Sequence, residues 1–97
     1  MAYEIRFVAS ARRQLGGFEA DERVGIVAAI EGQLSNEPLT EARNRKHLRP
    51  NRIAPWELRV RSARVFYDVE EPATVTILAI GKKQRNKLYI EGKEIQL

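Results

Sequence analysis

The sequence predicts an α+β domain in which an N-terminal strand and a two-helix hairpin precede an antiparallel meander of three to four strands. Three observations support this order: apolar and polar residues alternate in residues 3–8, apolar residues recur at helical spacing in residues 10–35, and alternation returns from residue 56 onward. The 97 residues suffice for one hydrophobic core, so we expect a single domain over residues 1–97, with the helices packed on one face of the sheet.

The N-terminal elements follow from apolar spacing and from the residues that begin and end helices. The segment YEIRFV, residues 3–8, has the period of a half-buried strand. A short helix is expected from Ser10, a capable N-cap, to the Gly16-Gly17 pair. A second helix should begin near Asp21 and end at Asn36-Glu37-Pro38, because a residue before proline disfavours the helical conformation.

The segment WELRVRSARVFYDV predicts a β-hairpin with its turn at Ser62-Ala63. This register aligns apolar and aromatic residues on the face expected in the core: Trp56 with Val69, Leu58 with Tyr67, and Val60 with Val65. The opposite face pairs Arg61 with Arg64 and Arg59 with Phe66. Like charges that face each other cost stability, so we expect this face to be open to a partner, with Phe66 available for stacking on a base.

The segments around the hairpin are predicted from their turn residues. Residues 39–55 have neither period and contain two prolines, which indicates a loop with room for a short strand at Lys46 to Arg49. The run TVTILAI, residues 74–80, is apolar on both faces, as in a central strand. The C-terminal residues should form one or two short strands about Gly92.

Composition narrows the chemistry. The chain has no cysteine and one histidine, His47, so we expect neither a metal site nor a cofactor. His47 lies in a loop with no visible orienting acid, which favours a packing role over a catalytic one. No apolar stretch approaches the ~20 residues of a membrane span, and no secretory signal precedes the first strand. We therefore expect a cytoplasmic protein without a membrane partner.

The positive charge is concentrated in the second half of the chain. Residues 1–42 contain 4 cations and 7 acids, whereas residues 43–97 contain 13 cations and 6 acids. Twelve of the cations fall in three segments that a meander can bring together, which predicts a surface that follows a phosphate backbone. The general phosphate contacts expected on it are Lys46, Arg49, Arg61, Lys82, Arg85 and Lys87.

Four stretches together carry a resemblance to a known family: Leu34 to Pro38 (Leu-x-x-x-Pro), Lys46-His47-Leu48, WELRVRSARVFYDV and IGKKQRNKLY. In this order they resemble the RelE/ParE superfamily of toxins from bacterial type II toxin–antitoxin pairs, over nearly the whole chain. Members similar to RelE cut messenger RNA in the ribosomal A site. The resemblance implies the same α+β fold, a cognate antitoxin in a hetero-oligomer, and mRNA on the ribosome as a partner.

The resemblance also implies particular catalytic residues. The basic positions of the RelE hairpin fall on Arg59 and Arg64, a further one falls on Lys83, and the C-terminal tyrosine falls on Tyr89. Glu57 departs from the pattern, because it stands where RelE-like members have a lysine.

The residue types fit metal-independent RNA cleavage, in which the 2′-hydroxyl attacks the adjacent phosphorus. Fixed cations such as Arg59, Arg64 and Lys83 can stabilise the charge that develops on the phosphate. Tyr89 could accept a proton only if neighbouring cations stabilise its phenolate, and it could equally pack on the sheet as an ordinary strand aromatic.

Three functions therefore remain open from the sequence. The first is an endoribonuclease, acting on the ribosome or on free RNA. The second is a DNA gyrase inhibitor similar to ParE, which the acidic Glu57 within the basic set favours. The third is a family member without catalysis, whose basic face only binds its antitoxin.

Overall fold

The computed structural model describes residues 2–97 and shows two helices against a seven-stranded sheet. The helical segments are α1 (Ala9–Leu15), α2 (Ala20–Ala29) and a π-helical turn (Ile30–Leu34) that continues α2. The strands are β1 (Glu4–Phe7), β2 (Arg45–His47), β3 (Trp56–Val60), β4 (Ala63–Glu70), β5 (Thr74–Gln84), β6 (Lys87–Ile90) and β7 (Lys93–Ile95).

The sheet is an antiparallel series in the order β2-β3-β4-β5-β6-β7. Strand β1 pairs in parallel with residues 74–77 of β5, while β6 pairs with residues 82–84 farther along the same strand. The predicted α+β fold class is confirmed, and the meander is wider than the three to four strands expected. None of the helices within residues 2–97 is long and apolar enough to cross a membrane.

The hydrophobic core lies between the helices and one face of the sheet, which we call the helix face. Ile26, Ile30 and Leu34 of the α2 segment are almost completely buried there, together with Leu58 and Val65 of the sheet. Trp56 belongs to the same cluster and is only 8% exposed, which confirms the core position predicted for it.

The hairpin of β3 and β4 differs from its predicted register by two residues. Its turn is Arg61-Ser62, with Arg61 at a φ of 56°, and Trp56 pairs with Tyr67 rather than with Val69. A shift of two residues preserves the face on which each side chain lies, so the predicted apolar and basic faces survive. The cross-strand partner of Arg64 is therefore Arg59, and the predicted pairing of Arg64 with Arg61 is wrong.

The second face of the sheet, which we call the outer face, is partly covered. Phe66 is completely buried in a small cluster with Ala54, Ala79 and Leu88, against which the loop residue Ile53 packs. The prediction that Phe66 is available for base stacking is wrong, because residues of the loop before β3 and of β6 cover its ring. Only the part of this face beyond the cluster is open.

The stretch IGKKQRNKLY, residues 80–89, forms a β-hairpin. Strand β5 continues past the predicted end at residue 80 to Gln84, and Arg85 and Asn86 form the turn with φ values of 51° and 67°. Two consecutive positive φ angles are typical of the type I′ turn that joins antiparallel strands. The C-terminal residues form the two short strands anticipated about Gly92.

Gly81 is predicted to be intolerant of a side chain because β6 packs closely against it. A Cβ at this position would lie 2.8 Å from the Tyr89 carbonyl oxygen and 2.9 Å from Ile90 Cγ1. We expect Gly81→Ala to lower the free energy of unfolding by about 1–3 kcal/mol, measured by urea denaturation. The control is Gly25→Ala in α2, where nothing lies within 4 Å of the added carbon. This control should stabilise the protein, and equal stabilisation by both substitutions would contradict the packing account.

Tyr67 should make stability depend on alkaline pH. Its hydroxyl donates a hydrogen bond of 2.6 Å to the Pro38 carbonyl in the core, and burial raises its pKa above the ordinary value of 10.0, while nearby Arg45 acts in the opposite direction. The neutral phenol is thus favoured in the folded state, so its stabilising contribution is present below pH 10 and is lost as pH rises beyond it.

We expect Tyr67→Phe to cost about 1–3 kcal/mol at pH 7, because the buried carbonyl loses its donor. It should also flatten the decline in stability above pH 10, as measured by denaturant unfolding at several pH values. Parallel pH profiles for the wild type and Tyr67→Phe would refute the contribution assigned to this hydroxyl.

Candidate nucleic-acid site on the sheet

The open part of the outer face has two arginines at its centre. Arg59 on β3 and Arg64 on β4 are direct cross-strand partners, and the residue beside Arg64 on β5 is Gly81. Partners in an antiparallel pair project from the same face, so the two guanidinium groups share one surface. Gly81 carries no side chain that could cover them.

Lys83 extends this basic cluster along β5. Its backbone N–H donates a 2.7 Å hydrogen bond to the carbonyl oxygen of Ser62, which ties the end of β5 to the turn between β3 and β4. Lys83 and Gly81 are two residues apart on one strand, so they lie on the same face. The structure therefore brings together three of the four predicted catalytic residues: Arg59, Arg64 and Lys83.

Glu57 lies among these cations and is only 8% exposed. Its Oε1 accepts a hydrogen bond from Arg59 Nε at 3.3 Å, and its backbone pairs with Lys46 of β2. Glu57 and Lys83 line one cleft of about 280 Å³ against the C-terminal hairpin. Glu57 thus lies beside the predicted phosphate contact Lys46 and in one cleft with the predicted catalytic residue Lys83.

The charge of Arg64 is only partly compensated. Partial burial lowers its pKa, the carboxylate of Glu57 raises it, and the like charge of Arg59 lowers it again. Arg64 Nη1 donates to the carbonyl oxygens of Arg61 and Ala63 at 2.7 and 3.0 Å. The other guanidinium nitrogens have no hydrogen-bond partner within residues 2–97, so the group is anchored at one end and free to bind an anion at the other.

Tyr89 lies apart from the other predicted catalytic residues. It pairs with Lys82, whereas Lys83 pairs with Leu88, and Leu88 belongs to the outer-face cluster. Tyr89 and Lys82 therefore project from the helix face, where they line a cleft of about 710 Å³ together with Phe18. The sheet thickness separates the Tyr89 phenol from Arg59, Arg64 and Lys83.

Two helix residues that the sequence did not indicate fix the position of the C-terminal hairpin. Arg13 and Gln14 of α1 both donate to the carboxylate of Glu91, at 3.0 and 2.8 Å, and these hydrogen bonds lower the pKa of Glu91. Gln14 Oε1 also accepts a hydrogen bond from the N–H of Ile80. Arg13 and Gln14 are 78 and 77 positions from Glu91 in the sequence, so no local pattern could have predicted these contacts.

The remaining predicted phosphate contacts are dispersed. Arg61 and Arg85 lie in exposed turns, and Arg49 lies in the exposed loop before β3. Lys87 projects from the exposed end of β6, with its Nζ 3.9 Å from Glu94. Of the contacts predicted beyond the catalytic set, Lys46 is the one whose strand position places it on the outer face beside Glu57.

Packing contacts explain the positions of Arg45 and of the single histidine, His47. Arg45 is 7% exposed and donates to the Thr40 carbonyl and to Gln33 Oε1, which holds the loop against the π-helical turn. The His47 ring lies 5.0 Å from the Trp56 ring, on the helix face.

A chain with a similar fold occurs among the solved structures. The chain is similar to a chain in the crystal structure of the toxin–antitoxin complex RelBE2 from Mycobacterium tuberculosis, with 30% sequence identity and a TM-score of 0.74. The alignment covers 86% of this chain and 93% of that one. No family model and no curated protein sequence matches the chain.

The chain belongs to the RelE/ParE superfamily of toxins, as its sequence motifs predicted, and its fold is that of the RelE-like members.

Proposed function

We propose that the protein is the toxin of a type II toxin–antitoxin pair and that it cleaves RNA on the outer face of its sheet. The observation that supports this most strongly is the direct pairing of Arg59 with Arg64, beside Lys83. Like charges in cross-strand partners destabilise a sheet, and one buried carboxylate, Glu57, compensates only part of them. A bound phosphate would supply the missing negative charge.

The proposed reaction is transesterification within the RNA. The 2′-hydroxyl of one nucleotide attacks the adjacent phosphorus, and negative charge increases on the non-bridging oxygens. Arg59, Arg64 and Lys83 share one surface and would stabilise that charge, since preorganised cations contribute most when they need no rearrangement. The role that family resemblance implies for Tyr89 is not part of this proposal, because its side chain projects from the helix face.

The proposed protein partner is a cognate antitoxin. The matched structure is a toxin–antitoxin complex. An antitoxin segment with acidic residues would complement the outer face, and a segment that folds upon binding could cover both this cluster and the adjacent apolar residues. We propose that it blocks access of RNA to Arg59 and Arg64.

Controlled expression in bacteria tests the proposed function. The 5′ ends of cellular transcripts are mapped before and after induction, both for the wild type and for Arg64→Ala. We expect new ends within coding sequences during growth arrest by the wild type, and their loss in the variant. Growth arrest without new ends would reject RNA cleavage.

A gyrase-directed toxin is the second candidate, and two observations favour it. Glu57 replaces a lysine of the RelE pattern, and Tyr89 is separated from the basic cluster. The decisive assay measures supercoiling of relaxed plasmid by purified gyrase in the presence of the protein. Inhibition of supercoiling without RNA cleavage would replace the first proposal with this one. A member that only binds its antitoxin would be inactive in both assays.

A further inference from the structure

Glu57 is a buried acid within the basic cluster, and RNA cleavage through the 2′-hydroxyl needs a proton acceptor. We propose that Glu57 is the general base that removes the proton from the attacking 2′-hydroxyl. This inference rests on the proposed function, and it assigns to a carboxylate the role that the sequence resemblance implied for Tyr89. Glu57, which stands where RelE-like members have a lysine, would then take part in the reaction.

The geometry of the carboxylate suits this role. Glu57 is 8% exposed, and its Oε1 is held by Arg59 Nε at 3.3 Å. Its Oε2 has no hydrogen-bond partner within residues 2–97, and no buried side-chain oxygen or nitrogen in this range lacks a partner, so Oε2 must retain access to solvent. One oxygen is therefore oriented by an arginine while the other is accessible, and Glu57 lines the same cleft as Lys83.

The charges around Glu57 favour binding of RNA at this carboxylate despite its negative charge. The charged groups on the outer face around Glu57 are Lys46 on β2, Arg59 on β3, Arg64 on β4 and Lys83 on β5, while the ion pair of Lys87 and Glu94 borders the cleft from β6 and β7. The four outer-face groups are all cations, so a phosphate can bind beside the carboxylate. General bases work best when they are within hydrogen-bond distance of the proton they remove.

The step balances without any further reagent. The proton of the 2′-hydroxyl passes to Glu57 Oε2 as the bond between the 2′-oxygen and phosphorus forms. The bond from phosphorus to the 5′-oxygen breaks, and that oxygen takes a proton from the ammonium group of Lys83, which lines the same cleft. The products are a 2′,3′-cyclic phosphate and a 5′-hydroxyl, and exchange with water restores both side chains.

The alternative role for Glu57 is to neutralise the surrounding cations, and the two roles predict opposite effects of Glu57→Gln. Loss of a general base should lower the single-turnover rate of RNA cleavage by about 10²–10⁴-fold. Loss of a neutralising charge should instead strengthen RNA binding and leave cleavage unchanged or faster. Glutamine has the same shape and can still accept the hydrogen bond from Arg59, so both effects can be measured in a folded protein.

The experiment compares single-turnover cleavage of one ribosome-bound mRNA by the wild type, Glu57→Gln and Glu57→Asp. We expect Glu57→Gln to be slow and Glu57→Asp to retain part of the wild-type rate. Binding of the same RNA by Glu57→Gln should be unchanged or tighter. The matched control, Glu31→Gln on the exposed side of the π-helical turn, should cleave like the wild type.

The outcomes separate this inference from the proposed function. If the wild type cleaves no RNA, the proposed function fails before Glu57 is tested. If the wild type cleaves and Glu57→Gln cleaves equally fast, RNA cleavage is retained and the general-base role is overturned. Thermal unfolding of each variant shows whether a loss of rate comes from misfolding. If Glu57→Gln does not fold, the rate of Glu57→Asp relative to the wild type is the test.

Discussion

Replacement of Arg64 by alanine is expected to reduce single-turnover RNA cleavage by about 10²–10³-fold, the range found when one preorganised donor is removed from a site of developing charge. Arg64 is partly buried, anchored by two backbone carbonyls, and surrounded by Arg59 and Glu57. Its guanidinium is thus held in place before the phosphate binds. In Arg64→Ala, water would have to reorient in order to stabilise the same developing charge.

Arg64→Lys provides the matched control for charge. It retains the positive charge but loses the planar fork that donates to two oxygens at once, so we expect a rate between those of the wild type and Arg64→Ala. Rates are measured by quantifying cleaved mRNA on programmed ribosomes, after unfolding experiments confirm that each variant is folded. An Arg64→Ala protein that cleaves at the wild-type rate would remove Arg64 from the site.

RNA affinity is expected to fall steeply with salt. If Lys46, Arg59, Arg64 and Lys83 each neutralise one phosphate of a single strand, the slope of log affinity against log salt should be about −3, which corresponds to a roughly 50-fold loss between 50 and 200 mM salt. The measurement is fluorescence anisotropy with a labelled single-stranded RNA. The effect is large because the site has little other means of binding an RNA of arbitrary sequence.

Single substitutions test whether the slope arises from the outer face. Lys83→Ala should make the slope less steep by about 0.7, because one phosphate contact is lost. Arg12→Ala, which removes an exposed cation of α1, should leave the slope unchanged. A slope near zero, or equal changes from both substitutions, would contradict RNA binding at the basic cluster on the outer face.

The sequence predicted the faces of the sheet more reliably than the pairing between strands. Alternation in the hairpin assigned Trp56 to the core, and a register error of two residues did not alter this, since side chains alternate with a period of two. The position of the turn was predicted less accurately, because no Asn-Gly pair marks it in the sequence. Arg61 adopts a positive φ instead, which its side chain gave no reason to expect.

Two features of the site could not be predicted from the sequence: the burial of Phe66 and the separation of Tyr89 from Lys83. The burial of Phe66 depends on the loop before β3 crossing the outer face, and that loop has no periodic pattern. The separation of Tyr89 from Lys83 depends on a two-residue turn at Arg85-Asn86, which aligns Tyr89 with Lys82. Once that turn is known, the six-residue spacing places Lys83 and Tyr89 on opposite faces.

The membership of the basic cluster was largely predictable. The family motifs indicated Arg59, Arg64 and Lys83, and the strand pairing places all three on one surface. The role that we propose for Glu57 was not predictable, because a sequence pattern marks Glu57 only as a departure from lysine. Its burial, its contact with Arg59 and its open second oxygen are properties of the folded sheet.

Reversing the charge of two consecutive lysines shows whether RNA is bound and cut on the outer face of the sheet. Lys83→Glu and Lys82→Glu change the net charge equally, but Lys83 projects from the outer face and Lys82 lies 6.0 Å from the Phe18 ring on the helix face. We predict that Lys83→Glu lowers mRNA cleavage on programmed ribosomes by at least about 100-fold, while Lys82→Glu lowers it only a few-fold. Equal losses, or a greater loss in Lys82→Glu, would show that RNA is not cut on the outer face.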